Sequence, residues 1–353
     1  MTQAQALTIL KTGANVFLTG EPGSGKTHTI RTYMNYLREH GIEPAVTAST
    51  GIAATHLHGM TIHAWSGLGV KNTLNAYDLD AIATKEYLVR RINATKVLII
   101  DEISMLSAQT LSMVDVICRT IRGVPEPFGG LQVILVGDFF QLPPIGAFGS
   151  APQFAYQSPS WKNLKLIICY LSEQHRQDDT SLLSLLSAIR TNTVEDFHHE
   201  ELQSRTRPDK HVSDSVTQLF TKNISVDTLN DKKLAALSGR EELFMMSSKG
   251  SKALVEGLKK GCLSPEELRL KKDAAVMCTK NNPQSGFANG TLGTVVDFEK
   301  GTRFPIIKTQ DGRRITITPM EWVVQEDGKI KAHISQIPLR LAWAITVHKS
   351  QGM

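Results

Sequence analysis

Cysteine is scarce in this 353-residue sequence, and its four copies lie far apart, without a C-x-x-C pair or a Cys/His cluster. This spacing gives no indication of a disulfide framework, a zinc site or another metal cluster. No apolar stretch approaches the ~20 residues that a membrane-spanning helix requires, and the N-terminus has no basic segment followed by an apolar run. Repeats and low-complexity tracts are missing as well. We therefore expect no membrane partner, no signal peptide and a reducing compartment, the cytoplasm.

The composition is that of an ordinary globular chain, with 41% hydrophobic and 21% charged residues. At this length, two or three domains are expected. The net charge of +5 makes the chain mildly basic. Such a balance is compatible with binding to nucleic acid, although many proteins that never contact DNA share it.

A phosphate-binding loop is the strongest local signal. Residues 16–18 are apolar and typical of a strand, residues 20–27 read GEPGSGKT and fit G-x-x-x-x-G-K-[ST], and a helical pattern follows. This context favours an anion site of backbone N–H groups and a helix N-terminus over a turn that merely reverses the chain. Lys26 is expected to reach the β- and γ-phosphates of a nucleotide, and the Thr27 hydroxyl to bind Mg²⁺. The remaining predicted contacts of the loop are Gly20, Gly23, Ser24 and Gly25.

A pair of acidic residues follows a second apolar strand. Residues 97–100 form a continuous apolar run, the mark of a strand buried on both faces, and Asp101 and Glu102 come directly after it. Downstream of a phosphate loop, this pattern predicts a Walker B element. In such an element, Asp101 holds Mg²⁺ through water, and Glu102 orients and deprotonates the attacking water. The alternative is a pair of solvated loop acids.

Two glutamines are further candidates for the nucleotide site. Residues 131–136 predict another buried strand, and Gln141 falls just beyond it, where it is placed to contact a γ-phosphate and report its presence. Gln3 lies in a short predicted helix ahead of the phosphate loop, and its amide offers both a donor and an acceptor to adenine. Gln5 has the same chemistry, and a solvated helix glutamine is the alternative interpretation.

Hydroxyls and one tryptophan mark a second candidate surface. Thr47 and Thr50 lie where a predicted strand ends, at the edge where open α/β sheets bind ligands. In the segment TIHAW that follows, Thr61 and His63 are candidates for hydrogen bonds to a nucleic-acid backbone, and Trp65 for stacking on a base. Taken alone, the segment is more typical of a core tryptophan and a histidine without a functional role.

Eight motifs occur in a fixed order along the chain. The first five, between positions 20 and 145, are GEPGSGKT, TASTGIAA, TIHAW, VLIIDEISML and GDFFQLPPI. With them, the sequence resembles the petite-integration-frequency (PIF) helicases, in the PIF/RecD-like B branch of helicase superfamily one. Residues 171–178, 289–296 and 336–352 resemble that family's fourth motif, the entry to its small β-barrel insertion, and its fifth motif. The resemblance covers nearly the whole chain.

The resemblance implies a protein that uses ATP and Mg²⁺ to move on DNA. It implies that Arg176 contacts the γ-phosphate, that Gln351 and Gly352 contribute to nucleotide binding, and that Thr346 and His348 contact DNA. It also implies 5′-to-3′ movement on single-stranded DNA and unwinding of forked duplex DNA, in repair, recombination, telomere or genome maintenance. Two alternatives stay open, a translocase that does not separate strands and an ATP-gated DNA-binding switch. We expect a monomer from a prokaryote or virus, associated with the nucleoid.

The fold class implied by the resemblance is α/β, with two RecA-like P-loop motor domains that have parallel sheets. The first spans 1–153 and includes a small helical insertion at about 66–93, and the second spans 154–288 and 335–353. In residues 291–334, short alternating strands and turns replace the helical pattern. The resemblance implies that residues 289–334 form the family's SH3-like β subdomain.

Three further features of the second half of the sequence bear on its predicted structure and function. Residues 249–280 hold eight basic and four acidic residues, which indicates either a solvated face or a surface that tracks phosphates. Asp273 stands where relatives commonly place a turn glycine, and aspartate tolerates a left-handed turn. The sequence ends at Met353, directly after the fifth motif. We therefore expect a truncated chain that lacks the sixth motif and its second γ-phosphate arginine, with the second motor domain incomplete.

Overall fold

The computed structural model describes residues 1–57, 59–69, 71–144, 151–173, 180–206, 216–282, 284–326 and 329–350. They belong to two compact units, Met1–Thr206 and Arg207–Met353. The helices are α1 (Gln3–Leu10), α2 (Lys26–Glu39), α3 (Gly51–His56), α4 (Ile62–Ser66), α5 (Ala76–Ala83), α6 (Glu86–Ala94), α7 (Ala108–Arg122), α8 (Pro159–Asn163), α9 (Thr180–Thr191), α10 (Asp196–Arg205), α11 (Asn223–Ala236), α12 (Lys252–Gly261) and α13 (Val347–Ser350). The strands are β1 (Val16–Gly20), β2 (Ala45–Ala48), β3 (Met60–Thr61), β4 (Val97–Asp101), β5 (Gln132–Val136), β6 (Ile167–Leu171), β7 (Gln218–Phe220), β8 (Glu242–Met245), β9 (Ser247–Gly250), β10 (Glu267–Leu270), β11 (Ala275–Cys278), β12 (Leu292–Phe298), β13 (Pro305–Thr309), β14 (Arg314–Thr316), β15 (Met320–Glu326), β16 (Lys329–Gln336), β17 (Leu339–Leu341) and β18 (Ala344–Thr346). None of these helices is long and apolar enough to cross a membrane.

A six-stranded parallel sheet organises the first unit, with strand order β3-β2-β4-β5-β1-β6. The apolar runs predicted at 16–18 and 97–100 form β1 and β4, whose apolar residues are buried, as expected for strands covered on both faces. Because all six strands are parallel, their carboxyl ends meet at one edge, where α/β sheets bind ligands. The predicted α/β class with a parallel sheet is confirmed in this unit.

Two hydrophobic cores lie on opposite faces of this sheet. Successive strand residues point to opposite faces. Phe17 of β1 accordingly joins one core, together with residues of α4 to α8, while its neighbours Val16 and Leu18 join the other, which is covered by α1 and α2. The sheet is therefore held rigidly between helical layers, and its carboxyl edge is a fixed platform for the loops that follow β1, β4 and β5.

The second unit is mainly antiparallel in its described part. A five-stranded sheet has the order β14-β13-β12-β11-β17, a three-stranded sheet the order β15-β16-β9, and β10 pairs with β8. Within the described strands of this unit, the one parallel pair joins β7 to β18. The Asn230 carboxamide of α11 holds β18, because it accepts from the Ala344 N–H and donates to the Ala344 carbonyl, both at 3.0 Å.

Asp273 forms the predicted left-handed turn, with φ +68°. The turn connects β10 to β11. The Asp273 N–H donates to the Val295 carbonyl at 2.7 Å, and the Ala274 N–H donates to the Lys271 carbonyl at 3.2 Å. These bonds give two backbone N–H groups of the turn their acceptors. An aspartate can therefore occupy the position where relatives commonly have a glycine.

The structure corrects the predicted domain boundary after residue 153. Strand β6 pairs in parallel with β1 along its whole length, from Val16 opposite Ile167 to Gly20 opposite Leu171. It therefore completes the sheet of the first unit, which extends to Thr206. The antiparallel strands of the second unit also begin before the predicted subdomain at 289–334, since β11 pairs with β12. The SH3-like assignment of 289–334 stays a prediction.

Candidate nucleotide-binding site

The predicted phosphate loop connects β1 to α2. Gly20 ends β1, and α2 begins at Lys26, preceded by Gly25 in the left-handed region at φ +87°. Gly23 has a similar φ of +86°. Residues with a side chain rarely adopt this conformation, so the two glycines allow the loop to curl. The loop therefore has the strand–loop–helix context that the sequence predicted, at the carboxyl edge of the parallel sheet.

Gln3 lies beside this loop. A Cβ placed on Gly25 would collide with the Gln3 carboxamide. The backbone N–H of Gln3 donates to Glu173 Oε2 at 3.3 Å, which ties α1 to the end of β6. The Gln5 carboxamide is engaged differently, since it accepts from the Thr2 N–H at 3.0 Å in a capping box. Gln3 is thus the better placed of the two glutamines, and its contact with adenine stays a prediction.

Gly20 is packed too tightly against Leu171 and Ser24 to be replaced by a residue with a side chain. A Cβ at this position would lie 2.6 Å from the Leu171 carbonyl oxygen and 2.7 Å from Ser24 Oγ. We expect Gly20→Ala to lower the free energy of unfolding by about 1–3 kcal/mol, as overpacking typically does. Gly13→Ala is the control, because Gly13 also has a positive φ, +83°, but nothing within 4 Å of its Cβ position. Equal losses of melting temperature in the two variants would contradict the collision.

Lys26 lies across the mouth of the loop. Its Nζ donates to the carbonyl oxygens of Gly20 at 2.8 Å and Glu21 at 3.0 Å. Burial lowers the pKa of Lys26. The negative charges of nearby carboxylates act in the opposite direction, and Asp138 has a larger effect than Glu102. The ammonium therefore lies in a partly desolvated position, where its attraction to a phosphate is screened less than it would be in water.

The loop and the neighbouring strand end supply groups that fit a phosphate and a hard metal ion. Ser24 is 1% exposed, and its hydroxyl has no hydrogen-bond partner among the described residues, which is costly unless a ligand satisfies it. Thr27 is the second residue of α2, and Asp101 is the last residue of β4. Hydroxyl and carboxylate oxygens are the ligand types that Mg²⁺ prefers. These residues therefore fit the ATP and Mg²⁺ that the sequence predicted.

The two acidic residues after β4 have different environments. Asp101 Oδ1 accepts from the Glu102 N–H at 2.9 Å. Burial raises the pKa of Asp101 to about 7, and the charge of Glu102 adds to the effect. Glu102 adopts a left-handed conformation, φ +51° and ψ +46°, which is uncommon for a residue with a side chain. Backbone strain of this kind clusters at functional sites, and here it falls on the residue predicted to act as the base.

The raised pKa of Asp101 predicts a pH-dependent effect of Asp101→Asn in the absence of metal and nucleotide. The folded chain takes up this proton near pH 7, whereas the unfolded chain does so near 3.8, so stability is lost as the pH rises between these values. Asparagine carries no charge and keeps the acceptor oxygen. We expect Asp101→Asn to raise the melting temperature relative to the parent, and to do so more at pH 8 than at pH 5. The exposed Asp80→Asn is the control, and a difference that is the same at both pH values would contradict the shift.

Two residues that the sequence did not single out, Asp138 and Arg190, lie near Lys26 and act on its charge. Asp138, fully buried after β5, accepts from Arg190 Nη2 at 2.8 Å through Oδ1 and from Arg190 Nη1 at 3.0 Å through Oδ2. Burial by itself would raise the pKa of Asp138, but the Arg190 bonds outweigh it and the pKa is lowered. Gln141 Nε2 donates to the same Oδ2 at 3.3 Å. The motif GDFFQ could have drawn attention to Asp138, but nothing local in the sequence links it to Arg190.

The structure corrects three predicted DNA contacts, which are buried. Thr47 is fully buried, and its hydroxyl donates to the Ile99 carbonyl of the neighbouring strand at 2.7 Å. Trp65 is 2% exposed and belongs to a hydrophobic core of the first unit, so its ring is not available to stack on a base. Thr346, at the end of β18, is 3% exposed. In each case too little of the side chain is exposed for it to contact DNA in this structure.

The remaining described candidates for DNA contacts are partly exposed. The hydroxyls of Thr50 and Thr61 accept from the N–H groups of Ala53 at 3.3 Å and Ala64 at 3.2 Å, in the first turns of α3 and α4. His63 is partly buried, and burial lowers its pKa, so the ring is neutral at pH 7 and offers a hydrogen bond rather than a charge. Their contacts with DNA stay predictions.

Several predicted site residues cannot be placed. Arg176, Gln351 and Gly352 lie outside the described residues, and the side chain of His348, in α13, is not described either. Their predicted roles stay predictions. The described part of the candidate nucleotide site is built by the first unit alone.

Comparison with known proteins gives a consistent result along the chain. The family described as PIF1-like helicase matches residues 2–199, and the DNA helicase Pif1 2B domain matches residues 253–298. The ATP-dependent DNA helicase Pif1 of Psychrobacter sp. (strain PRwf-1) is 41% identical over 413 residues, covering 100% of this chain and 62% of that protein. The protein of the same name from Bdellovibrio bacteriovorus is 36% identical over 356 residues, covering 99% of this chain and 79% of that protein. The chain thus spans less than two thirds of the Psychrobacter protein.

Solved structures agree with this assignment. Pif1 from Bacteroides sp in complex with ADP-AlF4 has a TM-score of 0.82 at 28% identity, covering 99% of this chain and 83% of that one. The Pif1 helicase from Candida albicans has a TM-score of 0.79 at 31% identity, covering 99% and 86%. The family match over more than half of the chain and the extensive similarity to named relatives lead to one conclusion: the chain belongs to the PIF1-like helicase family.

Proposed function

We propose that this chain couples ATP hydrolysis to 5′-to-3′ movement along single-stranded DNA and to the unwinding of forked duplexes. The observation that carries the proposal is the arrangement at the carboxyl edge of the six-stranded sheet. There, the loop that holds Lys26 and the strand end that holds Asp101 and Glu102 flank β5. This edge combines a cation for phosphates, oxygens for Mg²⁺ and a carboxylate for a proton.

Each residue has a definable part in hydrolysis. Lys26 binds the β- and γ-phosphates through the ammonium that now donates to the loop carbonyls. Thr27 and Asp101 hold Mg²⁺, which neutralises charge on the phosphates when bound. Glu102 orients the attacking water and accepts its proton. Gln141, held by Asp138, senses the terminal phosphate.

The DNA substrate is proposed from the relatives and from surface charge. Bacteroides Pif1 has been crystallised with ADP-AlF3 and single-stranded DNA. Its sequence is 29% identical to this chain, and the match covers 99% of this chain and 83% of the Bacteroides chain. Of the basic residues in 249–280, Lys259 pairs with Glu266 and Arg269 with Asp231. Lys249, Lys252 and Lys272 are exposed instead, and among the side chains of this run that the structure describes they are the best placed to follow phosphates.

DNA binding is expected to depend steeply on salt. For single strands, log K falls linearly with log [salt], with a slope of about −0.7 for each phosphate neutralised. We expect Lys249→Ala and Lys252→Ala each to make the slope shallower by about 0.7, as measured by fluorescence anisotropy of a labelled oligonucleotide. Lys300→Ala, an exposed lysine outside the basic run, is the control. Unchanged slopes for both test variants would place the DNA elsewhere.

Two assays test the proposed function against its alternatives. ATP hydrolysis stimulated by single-stranded DNA, and absent from Glu102→Gln, would separate an enzyme from an ATP-gated DNA-binding switch. Unwinding of a forked duplex with a 5′ tail, compared with one that has only a 3′ tail, tests both strand separation and direction. Hydrolysis without unwinding of either substrate would favour a translocase. The absence of DNA-stimulated hydrolysis from the parent chain would overturn the proposal.

A further inference from the structure

Arg190 and Asp138 form a buried ion pair at the edge of the candidate nucleotide site. Their side chains are 11% and 1% exposed. Both carboxylate oxygens are engaged, in the two-pronged geometry that makes Arg–carboxylate pairs strong and directional. A buried charge that loses such a partner is strongly unfavourable, so each member of the pair depends on the other.

The Asp138 carboxylate also organises the loop that carries Gln141. Oδ1 accepts from the Phe140 N–H at 3.1 Å, and Oδ2 accepts from Gln141 Nε2 at 3.3 Å. The Gln141 N–H donates in addition to the Asp138 carbonyl at 2.9 Å. The Gln141 carboxamide is therefore bound to a carboxylate that Arg190 holds through both of its oxygens.

Arg190 is also enclosed by aromatic rings of the first unit. Its guanidinium carbon lies 4.5 Å from the centroid of the Phe140 ring and 6.0 Å from that of the Tyr170 ring on β6. The last turn of α9 is thus fastened both to the loop after β5 and to the edge strand of the sheet. These cation–π contacts add to the ion pair in holding the guanidinium beside Asp138.

The cluster lies close to the phosphate loop. The charges of Asp138 and Arg190 both act on Lys26, in opposite directions. The residue that meets the β- and γ-phosphates and the residue that senses the γ-phosphate are therefore connected by one electrostatic cluster.

We propose that Arg190 is a positioning residue for ATP hydrolysis, which acts by fixing the Asp138 carboxylate and, through it, the Gln141 carboxamide. The inference rests on the proposed function, because it assigns to Arg190 a part in the same reaction. Arg190 does not itself touch the phosphates in this assignment. Its role is to hold the γ-phosphate sensor in the orientation that the transition state requires, and a displacement of about 1 Å there can cost up to ~100-fold in rate.

A double-mutant cycle tests the chain of contacts. We expect Arg190→Gln to lower kcat for DNA-stimulated ATP hydrolysis by about 10–100-fold, with the KM for ATP changed less than about threefold. In a Gln141→Ala background, Arg190→Gln should have less than about a threefold further effect, because its target is already absent. Arg205→Gln, which removes an exposed arginine from an ion pair at the end of α10, is the matched control and should leave the rate unchanged.

A second variant distinguishes a loss of catalysis from a loss of folding. Arg190→Gln leaves Asp138 buried without its cation. It is therefore compared with a double variant, Arg190→Gln with Asp138→Asn, which removes both charges. The double variant should recover the melting temperature of the parent but not its rate of hydrolysis. Recovery of both would mean that Arg190 serves stability alone, and would overturn the proposal.

The outcomes separate this inference from the proposed function. If the parent chain hydrolyses ATP but the effects of Arg190→Gln and Gln141→Ala multiply, then Arg190 acts independently of Gln141, and the positioning role is wrong while the function stands. An increase in the KM for ATP with unchanged kcat would indicate a direct contact with the nucleotide, and would also overturn it. If the parent chain has no DNA-stimulated hydrolysis, both proposals fail together.

Discussion

Glu102→Gln is expected to lower kcat for ATP hydrolysis by about 10²–10⁴-fold while leaving nucleotide binding intact. An amide has nearly the shape of the carboxylate but cannot accept the proton of the attacking water. The substitution also preserves the left-handed backbone of this residue, φ +51°, since neither side chain is branched at Cβ. We therefore expect an unchanged melting temperature. The measurement pairs steady-state hydrolysis with the binding of a fluorescent ATP analogue.

Glu86→Gln is the matched control for this variant. Glu86 is exposed at the start of α6, in the same unit, and should have no effect on the rate. A Glu102→Gln protein that hydrolyses ATP at the parent rate would show that the proton goes elsewhere. The Walker B assignment of Glu102 would then be wrong, although Asp101 could still bind Mg²⁺.

Lys26→Ala is expected to have an effect of similar size by a different route. Removing one preorganised donor to a developing negative charge typically costs about 10²–10³-fold in rate. The ammonium also balances phosphate charge in the ground state, so ATP binding should weaken together with hydrolysis. Because Lys26 donates to loop carbonyls rather than to a carboxylate, its loss leaves no buried charge unpaired by a direct contact. We therefore expect the fold to survive.

The exposed Lys96→Ala, just ahead of β4, is the control for the loss of a lysine. Calorimetric titration with ATP and Mg²⁺, followed by a hydrolysis assay, separates the two effects of Lys26→Ala. If nucleotide binding and turnover both match those of the parent, the loop does not bind phosphate. Loss of binding with a collapsed melting temperature would instead assign Lys26 a structural role.

The local parts of the nucleotide site could be predicted from the sequence, because their signals are continuous. The phosphate loop follows directly from one stretch of fixed spacing, and the apolar runs of β1 and β4 mark strands buried on both faces. Asp101 and Glu102 adjoin such a run, so their place at the carboxyl edge follows from the direction of the strand. The contact between Asp138 and Arg190 had no such signal, since 52 residues separate them.

The errors of prediction have a common physical origin in non-local packing. Trp65 lies on a five-residue helix, and its sequence does not reveal that α4 buries this ring. The position of β6 depends on pairing with β1, about 150 residues earlier, so a boundary drawn at 153 separated two neighbouring strands. Outside the predicted β subdomain at 289–334, the described strands of the second unit include the antiparallel pair of β8 and β10 beside the parallel pair of β7 and β18. Strand direction depends on connections that hydrophobic patterns do not show.

The close approach of Gly20 to the Leu171 carbonyl has a consequence for how relatives of this chain should be compared. Because the sixth strand occupies the space of any side chain at position 20, selection for the sheet alone is enough to retain a glycine there. A descendant that had lost nucleotide binding would be free to change Lys26 long before it could change Gly20. The first glycine of the loop is therefore a poor marker of activity in divergent copies, whereas the lysine is an informative one.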